Sequence, residues 1–95
     1  MAGLSERAHY VFPPASAYAL NRCLFQIKSD PEFRSRFAAD AEAAMDEVGV
    51  DASHRPALRT FERDPLIVLG AHPYLVFMAD LRLKMDRAPG SFEHF

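Results

Sequence analysis

The fold is decided by two apolar segments that meet at a glycine and a proline in the stretch Leu66-Ile67-Val68-Leu69-Gly70-Ala71-His72-Pro73-Tyr74-Leu75-Val76-Phe77. Glycine at this point can end a helix, and Pro73 cannot lie deep inside one without losing a hydrogen bond and clashing with the preceding turn. We therefore interpret the stretch as two helices joined at a sharp corner. The corner presents a histidine, a proline ring and a tyrosine together.

The size and charge of the chain limit the classes of protein it can form. Its 95 residues suffice for one domain with a modest core, but not for a core plus an enclosed active site. This disfavours a self-contained enzyme. The formal net charge is −2, with both signs interleaved, so no basic stripe predicts a nucleic-acid partner. The longest apolar helix candidate is shorter than the ~20 residues that cross a bilayer, so no membrane partner is expected.

Cysteine usage and the N-terminal sequence predict a cytoplasmic protein. Cys23 is the single cysteine, which excludes a disulfide within the chain and fits a reducing compartment. The first residues lack the apolar segment of a signal peptide. Because no histidine pairs with Cys23 in a recognisable pattern, we interpret this thiol as a small buried side chain rather than a nucleophile.

Helix start and stop signals divide the chain into an N-terminal arm (1–14), a helical domain (15–87) and a C-terminal tail (88–95). No alternation typical of strands occurs. We predict an all-α fold, a compact orthogonal bundle of about five to six short helices with a flexible arm and tail. The arm ends in two prolines, and its apolar residues pack either on its own domain or on a partner.

The first helices are predicted from apolar spacing and capping residues. A stripe of Ala17, Leu20, Leu24 and Ile27 predicts a helix that begins at residue 15 or 16 and ends near 28. Asp30 is a typical N-cap for the second helix, with Pro31 at its first position. Asp40 is a typical N-cap for the third helix, and Gly49 is a typical C-cap that ends it. We further predict that Ser53 caps a fourth helix and that Asp64-Pro65 begins a short fifth one ending at Gly70.

The last helix is predicted to run from Pro73 to about Asp86 and is apolar on more than one side. One face carries Tyr74, Phe77, Met78, Leu81 and Met85, while Leu75, Val76 and Leu83 lie off that face. A helix with two apolar sides is either central to the core or covered by another chain.

Residues that could carry chemistry are few. None of the four histidines, His9, His54, His72 and His94, pairs with another ligand at the spacing of common metal motifs. We therefore expect neither a metal site nor a catalytic residue in this chain. His72 is the one titratable group at an unusual place. It is either a helix N-cap or surface histidine, or a polar contact toward a ligand or partner.

Four ordered segments resemble the small α subunit of protocatechuate 4,5-dioxygenase-type enzymes, the LigA-like family. They are Tyr18-Ala19-Leu20-Asn21-Arg22, Phe33-Arg34-Ser35-Arg36-Phe37-Ala38-Ala39-Asp40, Glu47-Val48-Gly49-Val50 and Leu69-Gly70-Ala71-His72-Pro73-Tyr74-Leu75. The last is the sharpest match. The resemblance implies an all-helical, non-catalytic subunit that acts as scaffold and lid for a large β subunit. That partner would hold Fe(II) and cleave a catechol-type ring in the extradiol manner.

The resemblance also suggests which residues face the partner or the substrate entrance. It places Phe92 beside the entrance, with Tyr74 and His72 behind it, and the tail residue Phe95 is a further candidate contact. Apart from the resemblance, Phe77 and Leu81 are the predicted interface residues, because the last helix is apolar on more than one side. The alternative function is a stand-alone helical interaction module that self-associates through the last helix and has no dioxygenase activity.

Overall fold

The computed structural model describes residues 15–88, and every regular element within this range is helical. The predicted all-α fold is confirmed. The predicted arm (1–14) and residues 89–95 of the predicted tail lie outside the described residues. The elements are α1 (Ser16–Ser29), α2 (Pro31–Ala39), α3 (Ala41–Val48), a 3₁₀ turn (Ala52–His54), α4 (Arg55–Thr60), α5 (Arg63–Val68) and α6 (Pro73–Arg87).

The predicted caps of α2 and α3 are confirmed. The Asp30 carboxylate accepts hydrogen bonds from the backbone N–H groups of Glu32 and Phe33, at 3.0 and 3.1 Å. Asp40 accepts one from the N–H of Ala43 at 3.1 Å. Gly49 ends α3 in the left-handed region, with φ of 79°. Each cap satisfies backbone groups that have no partner inside the helix.

The prediction that Ser53 caps the fourth helix is wrong. The N-cap of α4 is His54, which forms no side-chain capping bond. Asp51 caps the preceding 3₁₀ turn, since its carboxylate accepts hydrogen bonds from both the backbone N–H and the hydroxyl of Ser53, each at 2.9 Å. The two bonds lower the pKa of the Asp51 carboxyl. With Ser53 as N-cap, Pro56 would stand at N3 and could not donate, which leaves only the N–H of Arg55 at N2 for a capping bond. The chain instead forms a 3₁₀ turn first, and α4 begins at Arg55.

The start of the fifth helix also differs from the prediction. Helix α5 begins at Arg63, so Asp64 lies within its first turn and does not cap it. Glu62 occupies the N-cap position without a side-chain hydrogen bond. Pro65 is still tolerated because the first turn of a helix needs no N–H donor there.

The core is formed mainly by one side of α1 against the other helices. Helix α1 contributes its predicted apolar stripe together with Cys23, which is fully buried as predicted. The remaining core residues come from every other α-helix and from two connecting loops: Phe33, Phe37, Ala44, Met45, Val50, Leu58, Leu66, Ala71, Val76, Ala79 and Leu83. Burial raises the pKa of the Cys23 thiol to about 12, so this side chain is a neutral hydrophobic group at ordinary pH.

Helix α6 packs on α1, and its buried residues are Val76, Ala79 and Leu83. The face that carries Tyr74 and Phe77 points away from the core, although it is the more continuous apolar stripe in the sequence. A valine and an alanine let two helices approach closely, whereas a row of aromatic and methionine side chains would hold them apart. Helix α6 therefore keeps a second apolar side that the described residues bury only in part.

Candidate functional site

The corner between α5 and α6 is held by Asn21 of α1. The Asn21 side-chain Nδ2 donates to the carbonyl of Gly70 at 3.0 Å, and its Oδ1 accepts from the backbone N–H of His72 at 2.7 Å. Gly70 adopts φ of 106°, a conformation that residues with a Cβ rarely adopt. One amide thus joins both ends of the corner to the middle of α1 and fixes how α6 leaves it.

His72 is the N-cap of α6. Its Nδ1 accepts a hydrogen bond from the N–H of Tyr74 at 3.1 Å, and Pro73 occupies the first helical position. The N-cap interpretation of this histidine is therefore confirmed. The ring is exposed at the surface, and its contact with a ligand or partner stays a prediction.

The far end of α6 is fixed by Arg34 of α2, which is 8% exposed. Its Nε donates to the Asp86 carboxylate at 2.6 Å, and its Nη1 donates to the carbonyl of Ile27 at 2.8 Å. These bonds tie the end of α1, the first turns of α2 and the last turn of α6 together. Because α6 is held at both ends, the direction of its outer side is a fixed property of the fold.

An exposed aromatic face lies along α6 and the neighbouring part of α1. Tyr74 is 55% exposed, Phe77 is 63% exposed, and Phe25 on α1 is 52% exposed. Residues three, four and seven positions apart share one side of a helix, so three partly buried residues of α6 continue this surface: Met78, Leu81 and Met85. We call these six residues the α1/α6 aromatic face.

The ammonium group of Lys28 lies against this face. Its Nζ is 5.4 Å from the centre of the Phe25 ring and 6.0 Å from the centre of the Tyr74 ring, within the range of cation–π attraction. Within residues 15–88, no carboxylate is close enough to form an ion pair with Lys28. The face thus combines exposed aromatic rings with a positive charge that its own helices do not neutralise.

A groove with a volume of about 1020 Å³ lies between α2, α4 and α6. Its floor includes Phe37, Leu58 and Phe61, and the rings of Phe37 and Phe61 meet edge to face at 6.4 Å. Its rim carries several charged side chains whose ion partners belong to this chain, including Arg59 with Glu42 and Lys84 with Asp80. Arg87 also lines the groove and has no ion partner among residues 15–88.

The described residues do not offer a site for a metal ion. No group of three His, Cys, Asp or Glu side chains among residues 15–88 could hold one. His54 is buried at the end of the 3₁₀ turn with no hydrogen-bond partner for its Nδ1, and His72 uses its Nδ1 as a cap. His9 and His94 lie outside the described residues. None of the helices in the described range is long and apolar enough to cross a membrane.

Comparison with protein families gives the chain a place among known proteins. Residues 20–92 match the family described as "Aromatic-ring-opening dioxygenase LigAB, LigA subunit". The chain belongs to the LigA family. No curated protein and no solved structure matches it. The match spans all of the described helices except the first turn of α1, and it confirms the resemblance expected from the four ordered segments.

The structure brings together some of the candidate residues of this LigA-family chain. Four of them lie at one end or on the outer side of α6: the N-cap His72, and Tyr74, Phe77 and Leu81. Phe92 and Phe95 lie outside the described residues. Sequence analysis missed Phe25, which belongs to the α1/α6 aromatic face, and Lys28, which lies beside it. Phe25 lies outside the apolar stripe of α1. An aromatic residue on the otherwise polar side of that helix was the sequence signal that could have indicated an exposed contact surface.

Proposed function

We propose that this chain is the non-catalytic small subunit of an Fe(II) extradiol dioxygenase that opens a catechol-type ring. The observation that carries the proposal is the match to the LigA subunit over residues 20–92. The family description names a two-component enzyme, LigAB, so a LigB-type subunit is the expected partner. We assign to the present chain the role of scaffold and lid over the partner's substrate entrance.

The chemistry available in the chain supports a non-catalytic role. Its described residues provide no set of metal ligands, so an iron ion would be held by the large subunit. Cys23 is buried, and its raised pKa keeps the thiol protonated. His72 is committed through Nδ1 to capping α6. No step of ring cleavage is therefore assigned to a side chain of residues 15–88.

The contacts proposed for the assembled enzyme involve the outer side of α6. Tyr74 and His72 stand at its N-terminal end, where we propose that they border the partner or the substrate entrance. Phe92 and Phe95 are proposed to contribute from the tail. The cytoplasmic location predicted from the sequence belongs to the same proposal.

A reconstitution assay tests this function. The LigB-type subunit from the same organism is loaded with Fe(II), and ring opening of a catechol such as protocatechuate is followed by absorbance with and without the present chain. We expect no activity from the chain alone and a several-fold rise in kcat/KM when it is added to the large subunit. An active large subunit whose rate and substrate range do not respond to the chain would contradict the proposal.

A further inference from the structure

We infer that the α1/α6 aromatic face is the surface on which the LigB-type subunit docks, and that the partner places a carboxylate opposite Lys28. This inference rests on the proposed function, since it names the docking site of the same pair. It also makes a separate claim, namely which surface of the chain binds the large subunit.

The first argument is the apolar area that the face leaves uncovered. Each aromatic side chain buries ~150–250 Å² in an interface, so the half-exposed rings of Phe25, Tyr74 and Phe77 together offer roughly 250–400 Å². A stable interface needs about 800 Å² from each partner. The three aromatic rings provide the centre of such a surface, and the methionine and leucine side chains beside them on α6 extend it.

The second argument is that this face is rigid before any partner binds. Asn21 holds the start of α6, and Arg34 holds its end through Asp86. The aromatic side chains are therefore carried by helices whose backbone is held in place, and not by loops. A preorganised surface loses less conformational freedom on association, which favours its use in a permanent complex.

The third argument concerns the charge beside the aromatic face. The Lys28 ammonium lies next to the rings of Phe25 and Tyr74 and has no ion partner among the described residues. Arg22, one turn before Phe25, also has no ion partner within the described residues. A partner that presents Asp or Glu at this point would neutralise Lys28. The match to the LigA subunit of LigAB makes the large subunit the expected partner.

The groove between α2, α4 and α6 is the competing surface, and its charges disfavour it. A partner that enters this groove would have to displace or bury ion pairs that are already formed, such as Lys84–Asp80 at 2.8 Å. Burying such charges costs free energy unless their partners are kept. The aromatic face has no equivalent pairs to break.

A binding measurement with a matched pair of variants tests the inference. Phe77→Glu places a charge on the aromatic face, and Ala38→Glu places the same charge on an exposed residue that lines the groove. Both positions are exposed on helices, so both variants should fold, which circular dichroism checks. The dissociation constant of each variant for the LigB-type subunit is then measured by isothermal titration calorimetry.

We expect Phe77→Glu to weaken binding about 30-fold or more, the effect of losing a central aromatic contact. Ala38→Glu should stay within about 2-fold of the wild type, as energetically neutral positions do. Unchanged binding by Phe77→Glu, or a loss confined to Ala38→Glu, would overturn the docking face and leave the proposed function intact. If the wild-type chain does not bind the large subunit, the proposed function itself is contradicted. In that case, a wild-type dimer that Phe77→Glu converts to a monomer would assign the face to a second copy.

The proposed contact between Lys28 and a carboxylate of the partner is tested by the salt dependence of binding. The affinity of the wild-type pair is measured at 50 mM and 500 mM NaCl, together with that of the Lys28→Met variant, which keeps the apolar stem of the side chain. Salt screens charge pairs, so we expect wild-type binding to weaken with salt and the Lys28→Met variant to show a smaller salt dependence. An identical salt dependence for the two proteins would rule out the charge contact.

Discussion

The Oδ1 atom of Asn21 accepts a hydrogen bond from the backbone N–H of His72 at 2.7 Å, across 51 residues of sequence. The same side chain donates to Gly70 at 3.0 Å. The residue that caps α6 is therefore itself held by α1. This arrangement links the corner that decides the fold to the orientation of the outer side of α6.

Asn21→Ala should destabilise the domain by about 1–3 kcal/mol, because it leaves the Gly70 carbonyl and the His72 N–H without their partner. Asn21→Asp keeps the acceptor and should lose less. Urea unfolding followed by circular dichroism measures both. Arg22→Ala, on the exposed neighbour, is the control and should change stability by no more than about 0.5 kcal/mol. Equal stabilities for Asn21→Ala and the control would show that the corner does not depend on the amide.

Gly49→Ala should cost about 1–2 kcal/mol of unfolding free energy, since alanine is strained at the φ of 79° found there. A Cβ at this position meets no atom within 4 Å, so the cost comes from the backbone and not from a clash. Gly49→Asn tests this reason, because asparagine tolerates the left-handed region better and should lose less. If asparagine costs as much as alanine, the strain explanation is wrong.

Asp86→Ala should destabilise the protein by about 1.5–3 kcal/mol, the range for a hydrogen bond to a charged group. The reason is that Arg34 is buried and loses its only carboxylate among the described residues. Glu47→Ala removes the partner of Arg36 from a pair whose side chains are about half exposed, and should cost at most about 1 kcal/mol. Chemical denaturation of the two variants compares them directly. A larger loss for Glu47→Ala would contradict the ranking.

Stability should fall at alkaline pH because of Cys23. The pKa of its thiol is about 12 in the folded protein, against an ordinary value of 9.0. Below pH 8 both states hold the proton, and the thiol adds no pH dependence. Above pH 9 the unfolded chain releases the proton first, so the unfolding free energy declines by up to about 1.4 kcal/mol per pH unit.

The measurement for this thiol effect is the unfolding free energy between pH 8 and 10.5 for the wild type and for Cys23→Ala. The variant loses the thiol but keeps all other titrating groups, so the wild type should show the steeper decline. Parallel curves would mean that the thiol is accessible to water in the folded state. A fast reaction of native Cys23 with a thiol reagent would lead to the same conclusion.

Much of the local structure could be predicted from the sequence because its signals are local. Asp30 and Asp40 cap the helices they precede, and Gly49 ends α3, since each forms bonds within five residues of itself. The misplaced start of α4 has the same origin. Asp51 and Ser53 are both capping residues, and the sequence does not show that a 3₁₀ turn capped by Asp51 comes before α4.

The orientation of α6 could not be predicted from its own sequence. Both sides of this helix are apolar, so periodicity gave no reason to bury Val76 rather than Phe77. The choice depends on contacts between distant parts of the chain, such as Arg34 with Asp86, which are 52 residues apart. Phe25 and Lys28 were missed for a related reason, because their surface exists only when α1 and α6 lie side by side.

The most direct test of the account is native mass spectrometry of this chain co-expressed with the LigB-type subunit from the same genome. We predict a complex that contains the two chains in equal numbers, and a complex that is lost for Phe77→Glu but kept for Ala38→Glu. A LigB-type subunit that is active while the present chain stays apart from it would contradict the assignment as a dioxygenase subunit.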